Sequence, residues 1–187
     1  MSNLVCWHIT RLPCEIIDIL EKDIKVFDTD IHSSEISGGE VNEEIRHSKN
    51  AWIPTEHWIG GWLWYYIQKS NRENFNYDIE DIDGGTVQYT HYSTGEFYNW
   101  HQDGDIDTCN SKEDYIRKLS FALQLSDPTD YTGGEVEFLD NSDGRFFAPK
   151  QRGTMIIFDS RIRHRVRRIK SGNRKSIVGW CVGPRWK

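Results

Sequence analysis

From Arg161 to Arg167 the chain alternates without a break. Arg161, Arg163, Arg165 and Arg167 share one parity, and Ile162, His164 and Val166 share the other. A β-strand sends these two sets to opposite faces, and a slip of one residue would bury four arginines. His164 is therefore expected to point inward between two branched aliphatics, with the arginines in water. Any fold for this chain needs a sheet with one wet face and one interior face that holds an imidazole.

The period of two extends well beyond this stretch. From Asp83-Gly84-Gly85 onward, strands are expected at about 86–92, 97–103, 118–126, 134–139, 145–148, 154–158, 162–169 and 175–182. Turn signals such as Ser93-Thr94-Gly95, Asp127-Pro128-Thr129-Asp130, Asn141-Ser142-Asp143-Gly144 and Ser171-Gly172-Asn173 separate them. Two helices are expected earlier. The first runs over Pro13–Lys22, with Ile16, Ile17, Ile19, Leu20 and Ile24 near helical spacing. The second runs over Glu56–Lys69, capped by Thr55, and its aromatic stripe (Trp58, Trp62, Tyr65, Tyr66) reads as core packing against a sheet. Residues 28–45 read as loop or irregular strand, and Ser111-Lys112-Glu113-Asp114 as the cap of a helical turn. The sum is a mainly β fold, a jelly roll (double-stranded β-helix) with N-terminal helices packed on one sheet. It forms a single domain over 1–187, helical to about residue 82 and jelly roll from about 83.

Composition narrows the setting. Eight each of Trp, Tyr and Phe argue for a folded chain. Cys6, Cys14, Cys109 and Cys181 form no CxxC pair, which argues against a disulfide scaffold or zinc knuckle and for a reducing compartment. The first residues lack a signal-peptide layout, and no run approaches the roughly 20 apolar residues of a membrane span. A soluble, cytoplasmic protein is expected. The net charge of −6 is uneven, because residues 160–187 hold ten Lys and Arg and no Asp or Glu, leaving −16 for residues 1–159. That acidic body argues against general nucleic-acid affinity. The arginine row is either a solvated face paired with acidic residues of the same body, or a surface for an acidic protein or nucleic acid.

The chemistry starts at His101 and Asp103. Two residues apart on an extended backbone, they share a face, so imidazole and carboxylate enter one small space. His164, 63 residues later, offers a third ligand. Two histidines and one carboxylate leave positions open opposite, an arrangement that suits non-haem Fe(II). Arg174 lies ten residues beyond His164, with Ser176 on the same parity. An arginine entering a pocket is costly unless it meets an anion, which its fork can hold by two parallel hydrogen bonds. Fe(II) with two neutral imidazoles and a carboxylate is net about +1, which favours a dianion. A 2-oxo diacid satisfies both ends, chelating the metal at one and meeting the guanidinium at the other. Asp105 and Asp107 read as an acidic solvated loop, His91 as structural, Trp100 as packing between layers, and Trp180 as a wall of the pocket.

These residues resemble the Fe(II)/2-oxoglutarate-dependent oxygenases, and most of all the PKHD-type branch of the prolyl 4-hydroxylase superfamily. The resemblance runs from about Arg46 to Trp180. It rests on Tyr92 through His101 and Asp103, on Leu119–Pro128 with Tyr131-Thr132-Gly133-Gly134-Glu135, and on Ala148–Ser160 with His164, Gly172, Arg174 and Trp180. It implies that His101, Asp103 and His164 bind iron, that Arg174 binds the far carboxylate of 2-oxoglutarate, and that Tyr92 and Ser176 line its pocket. The implied cofactors are Fe(II), 2-oxoglutarate and O2, with ascorbate as reductant. The implied reaction turns 2-oxoglutarate into succinate and CO2 while hydroxylating a C–H bond, with a peptidyl proline as the expected target. A free amino acid, another small metabolite or a nucleobase are the alternatives within that chemistry. A jelly-roll binding module has no need for three ligands plus Arg174, and zinc hydrolysis no need for a diacid anchor. The segments at 28–50 and 104–116 are expected to set selectivity. By the resemblance a further C-terminal segment is expected beyond Trp180, whereas this sequence stops at Lys187, and Arg163 stands where many relatives have an apolar residue.

Overall fold

A computed structural model describes residues 7–34, 44–104, 115–139 and 144–186. In chain order its elements are β1 (Trp7–Arg11), α1 (Cys14–Ile24), β2 (His32–Ser33), β3 (Arg46–His47), β4 (Lys49–Pro54), α2 (Trp58–Ser70) and β5 (Asp81–Ile82). There follow β6 (Thr86–Tyr92), β7 (Phe97–His101), β8 (Tyr115–Gln124), β9 (Tyr131–Gly133), β10 (Val136–Leu139) and β11 (Arg145–Phe147). The chain closes with β12 (Thr154–Asp159), β13 (His164–Val166), β14 (Ile169–Gly172) and β15 (Arg174–Pro184). The large sheet runs β1-β12-β8-β15-β6-β4-β2 with β5 added beside β15, the small sheet runs β11-β10-β13-β7-β3, and β14 pairs with β9 alone. The two main sheets face one another as an open jelly roll.

The large sheet is buried on both faces, and residue parity decides which side chain goes where. Leu119, Phe121 and Leu123 of β8 and Ile177 and Cys181 of β15 join a core with Ile17, Leu20 and Ile24 of α1 and Ile59, Leu63 and Ile67 of α2. The opposite parity, Ser120 and Ala122 on β8 and Ser176 and Val178 on β15, looks toward the small sheet, where Phe138, Ile156 and Phe158 form a second cluster. Truncating a fully buried aliphatic leaves a cavity, so Leu63→Ala is expected to cost about 3 kcal/mol. Ile19→Ala, at a position 57% exposed, should stay within about 0.5 kcal/mol; urea melts compare the two.

Several expectations shift. Helix α2 is capped by His57, whose Nδ1 accepts the Ile59 N–H at 3.4 Å, not by Thr55. Thr55 instead lies under the helix, so close that a Cβ on Gly60 would sit 2.5 Å from its Cα. The aromatic stripe is not the buried face of α2: aliphatics fill that face, Tyr65 is 61% exposed, and Trp62 and Tyr66 pack only at its flank. The core behind the sheet takes its rings from elsewhere, Phe75, Tyr89 and Phe121, and meets α2 at Ile59, Leu63 and Ile67. The segment before residue 83 is not only helical, since β1 pairs with β12 and β4 with β6. The strand expected at 162–169 is two: β13 ends at Val166, and Ile169 starts a strand that leaves for β9. The helical turn expected at 111–114, and Asp105 and Asp107, lie outside the described residues.

No helix among the described residues is long and apolar enough to cross a membrane. Cys14 and Cys181 are free thiols, and burial pushes the Cys181 thiol well up.

Candidate active site

His101 ends β7 and sits directly opposite His164 of β13 in the small sheet. Strict alternation would put Tyr98 and His101 on opposite faces. The pairing slips between them, because Val166 pairs with Tyr98 while His164 pairs with His101, so β7 carries one extra residue. That bulge turns both rings inward, where they stack with centroids 3.5 Å apart. Asp103 follows, fixed by its backbone N–H and that of Gly104, which donate to the Ser160 carbonyl at 3.0 and 2.9 Å.

The three side chains converge. Asp103 Oδ1 lies 3.6 Å from His101 Nε2, and Oδ2 lies 3.5 Å from His164 Nε2. All three ligand atoms fall within 4.8 Å of one another. Each imidazole uses Nδ1 on a carbonyl two residues back, His101 on Asn99 at 2.8 Å and His164 on Ile162 at 3.0 Å. A ring that donates from Nδ1 presents the Nε2 lone pair to the centre. Burial, helped by the neighbouring His164, lowers the His101 pKa to about 3, so that ring is neutral at pH 7. Burial alone would raise the Asp103 carboxyl. The two imidazoles and hydrogen bonds from Ser120 and Trp180 outweigh it and hold the group below its ordinary value. Two nitrogen lone pairs and one ionised carboxylate suit a divalent first-row metal and leave positions open.

Arg174 is the second feature of the cleft. It lies opposite Tyr92 where β15 meets β6 and is 3% exposed. Its Nη1 donates to Ser176 Oγ at 3.3 Å, it hydrogen-bonds the Tyr131 hydroxyl, and its guanidinium sits 5.6 Å from the Tyr92 ring centre. Gly134 leaves the room, since a Cβ there would lie 3.2 Å from Arg174 Cδ and 2.3 Å from Ile169 Cδ1. Among the described residues no carboxylate pairs with this buried cation. It shares a cleft of about 520 Å³ with His101, Asp103 and His164.

Other assignments sort as follows. Trp180 walls the cleft, as expected, and bonds Asp103 as well. Trp100 does not pack between layers; alternation with the inward His101 turns it to the outside of the small sheet, where Arg165 lies 4.6 Å over it. The arginine row faces outward and is largely paired: Arg161 holds Asp159, and Arg165 and Arg167 reach Glu137.

Sequence reasoning missed Ser120, Ser160, Gln88, Tyr131 and Arg46. Ser120 had a signal, because Ser120, Ala122 and Gln124 are the small or polar parity of an otherwise large apolar strand. Its hydroxyl shares a hydrogen bond of 2.9 Å with Ser160. Arg46 had none, standing on a two-residue strand. It is 5% exposed, donates to Gln88 at 2.6 Å and Ser48 at 3.1 Å, and lies 4.8 Å over Tyr98.

His91 is structural, as expected, packed edge-on against Tyr89. Burial, then Lys175 and Lys49 against the opposing pull of Asp28, lowers its pKa to about 4. A folded pKa below the unfolded value means that unfolding takes up a proton between the two. The contribution of His91 is whole above about pH 6.5 and lost as pH falls toward 4, about 3 kcal/mol in all. In urea melts from pH 7 to pH 4.5, His91→Gln is expected to lose less stability than the parent by roughly that amount.

A model of the 2OG-Fe(II) oxygenase superfamily matches residues 87–182, just over half of the chain. The chain belongs to that superfamily. Membership implies an enzyme that uses Fe(II), 2-oxoglutarate and O2. Within the superfamily it is similar to PKHD-type hydroxylases. That of Rippkaea orientalis is 32% identical over 95 residues, 51% of this chain and 41% of the relative. That of Parvibaculum lavamentivorans is 33% identical over 94 residues, 50% and 40% of the respective chains. The matched region thus spans well under half the length of these relatives.

Solved structures share the fold. A Pseudomonas putida prolyl-4-hydroxylase superposes with a TM-score of 0.73 at 19% identity, covering 96% of this chain and 93% of that one. A Trichoplax adhaerens prolyl hydroxylase, solved with a hypoxia inducible factor peptide fragment, gives 0.72 at 18% identity, covering 96% and 84%.

Proposed function

We propose that this oxygenase hydroxylates a C–H bond of a peptidyl residue, proline first among candidates, with release of succinate and CO2. The observation that carries the reading is the pairing of two features in one cleft: a His-Asp-His cluster and a buried arginine with only neutral partners. His101, Asp103 and His164 would hold Fe(II), and Arg174 with Ser176 would hold the distal carboxylate of 2-oxoglutarate beside Tyr92. Bound there, the metal and cosubstrate supply the oxidation, one oxygen of O2 going to succinate and the other to the substrate. The chain itself orients and encloses. Ser120 and Trp180 fix the Asp103 carboxylate, the Nδ1 bonds fix both imidazoles, and Val136 and Phe158 keep bulk water from the reacting centre. Ascorbate would serve as reductant. The peptidyl target is supported by the prolyl hydroxylases that share the fold and by the peptide bound to one of them.

The test incubates purified protein with Fe(II), 2-oxoglutarate, ascorbate and O2 against a panel of proline-containing peptides, free amino acids and nucleosides. Succinate release coupled to one added oxygen on a peptide is expected. Oxygen on a free amino acid or nucleoside alone would overturn the peptidyl assignment, and no succinate under any condition would overturn the chemistry. Ser120→Ala, which leaves all three ligands in place, is expected to weaken metal binding about 10- to 100-fold by loosening Asp103. Competition with a chelator under nitrogen measures it.

A further inference from the structure

The outside of the small sheet carries a surface of its own. Glu137 of β10 faces away from the cleft yet is fully buried, because guanidiniums cover it. Arg165 Nη2 lies 2.6 Å from its carboxylate, Arg145 Nη1 3.2 Å and Arg167 Nε 3.9 Å. Arg163 and Arg168 are exposed on the same stretch. Among the described residues, Glu137 is the one carboxylate that pairs with any of these five arginines, which sets one negative charge there against five positive ones. Their heads are also held in place, Arg165 over Trp100 at 4.6 Å and Arg168 over Phe97 at 4.1 Å. Phe97, Asn99, Arg165, Arg167 and Arg168 rim a groove of about 470 Å³. Its floor, Tyr98 and Val166, lines the cleft on the other side.

We propose that this face docks an acidic polypeptide segment. Guanidiniums fixed by a buried carboxylate and by ring stacking lose little freedom on binding, and each free fork matches a carboxylate bidentately. Reach favours a short partner. Five strands at about 4.8 Å spacing span about 20 Å, the length of roughly six extended residues. A longer polyanion would run off the patch onto a body that carries −16 over residues 1–159. Single-stranded nucleic acid is disfavoured further, because the rings on which bases would stack are already covered by arginine. The surface stands apart from the metal chemistry and is tested by binding alone.

The probes are a fluorescein-labelled peptide of about 12 residues rich in Asp and Glu, a Ser/Gly peptide of equal length, and an oligothymidylate of equal charge, read by anisotropy. The acidic peptide is expected to bind, the neutral one not, with affinity falling about tenfold between about 50 and about 300 mM NaCl. The double variant R163E/R168E, whose side chains are exposed and form no ion pair with Glu137, should weaken binding by about tenfold or more. Should it fail to fold, R163Q/R168Q carries the same expectation. Equal binding of acidic and neutral peptides, or undiminished binding in a folded variant, overturns the proposal; so does tighter binding of the oligonucleotide.

Discussion

Arg174→Met is expected to separate binding from stability, moving the two in opposite directions. The parent holds a guanidinium at 3% exposure with Ser176 and Tyr131 as its hydrogen-bond partners, both neutral. A buried cation in that state costs folding free energy, and an apolar side chain of similar volume removes the cost. The cosubstrate-free variant should be more stable by about 1–2 kcal/mol. Its affinity for 2-oxoglutarate should fall roughly 100-fold or more, the loss of a buried, hydrogen-bonded charge pair being worth about 3 kcal/mol. Arg174→Lys keeps the charge without the fork and should fall between. Calorimetric titration of the anaerobic Fe(II) form and a urea melt of the metal-free form give the two numbers. Unchanged affinity would move the anchor elsewhere in the cleft, with Arg46 the next residue to change.

The second large effect is at Asp103. Asp103→Ala removes the one anionic donor of the cluster and leaves the Ser120 hydroxyl and the Trp180 indole without the acceptor they share. Turnover should fall by about 10³-fold or more, because the donors that remain are two imidazoles. Stability should fall by about 1–3 kcal/mol through the stranded donors. Asp103→Asn keeps an acceptor for one of them while lacking the charge, so it should recover part of the stability and none of the metal affinity. Equilibrium dialysis against Fe(II) under nitrogen, run beside the melts, separates these losses. A variant that still binds Fe(II) like the parent would remove Asp103 from the proposed ligand set.

Much of this was readable from residue order, for reasons that differ between elements. The inward turn of His164 followed from parity, because four arginines on the other parity leave a strand one acceptable orientation. Arg174, Ser176 and Trp180 followed from the same rule on β15. Parity could not reveal the bulge in β7, since an inserted residue leaves no mark in composition. That is why Tyr98 was overlooked; Trp100 does lie on the face opposite His101, but that face is the outside of the small sheet, where Arg165 covers it. Arg46 was invisible for another reason. It is a charged residue in a polar stretch, and only the long-range pairing of β3 with β7 places it beneath Tyr98. On α2, the pattern held both an aromatic and an aliphatic stripe, and it is the aliphatic one, Ile59, Leu63 and Ile67, that turns to the core. Strand β1 at Trp7–Arg11 went unread, although Trp7 and Ile9 alternate with His8 and Thr10.

The two-faced character of β8 and β15 has a consequence for how this scaffold tolerates change. Along residues 119–124 of β8 and 174–181 of β15, odd-numbered residues belong to the foundation under the helices and even-numbered ones to the reaction chamber. Beyond the irregular pairing at Cys181 and Val182 the rule ends, and Arg117 lies over Trp180. A chemist may therefore rewrite the chamber at positions 122, 176 and 178 with little disturbance to the foundation.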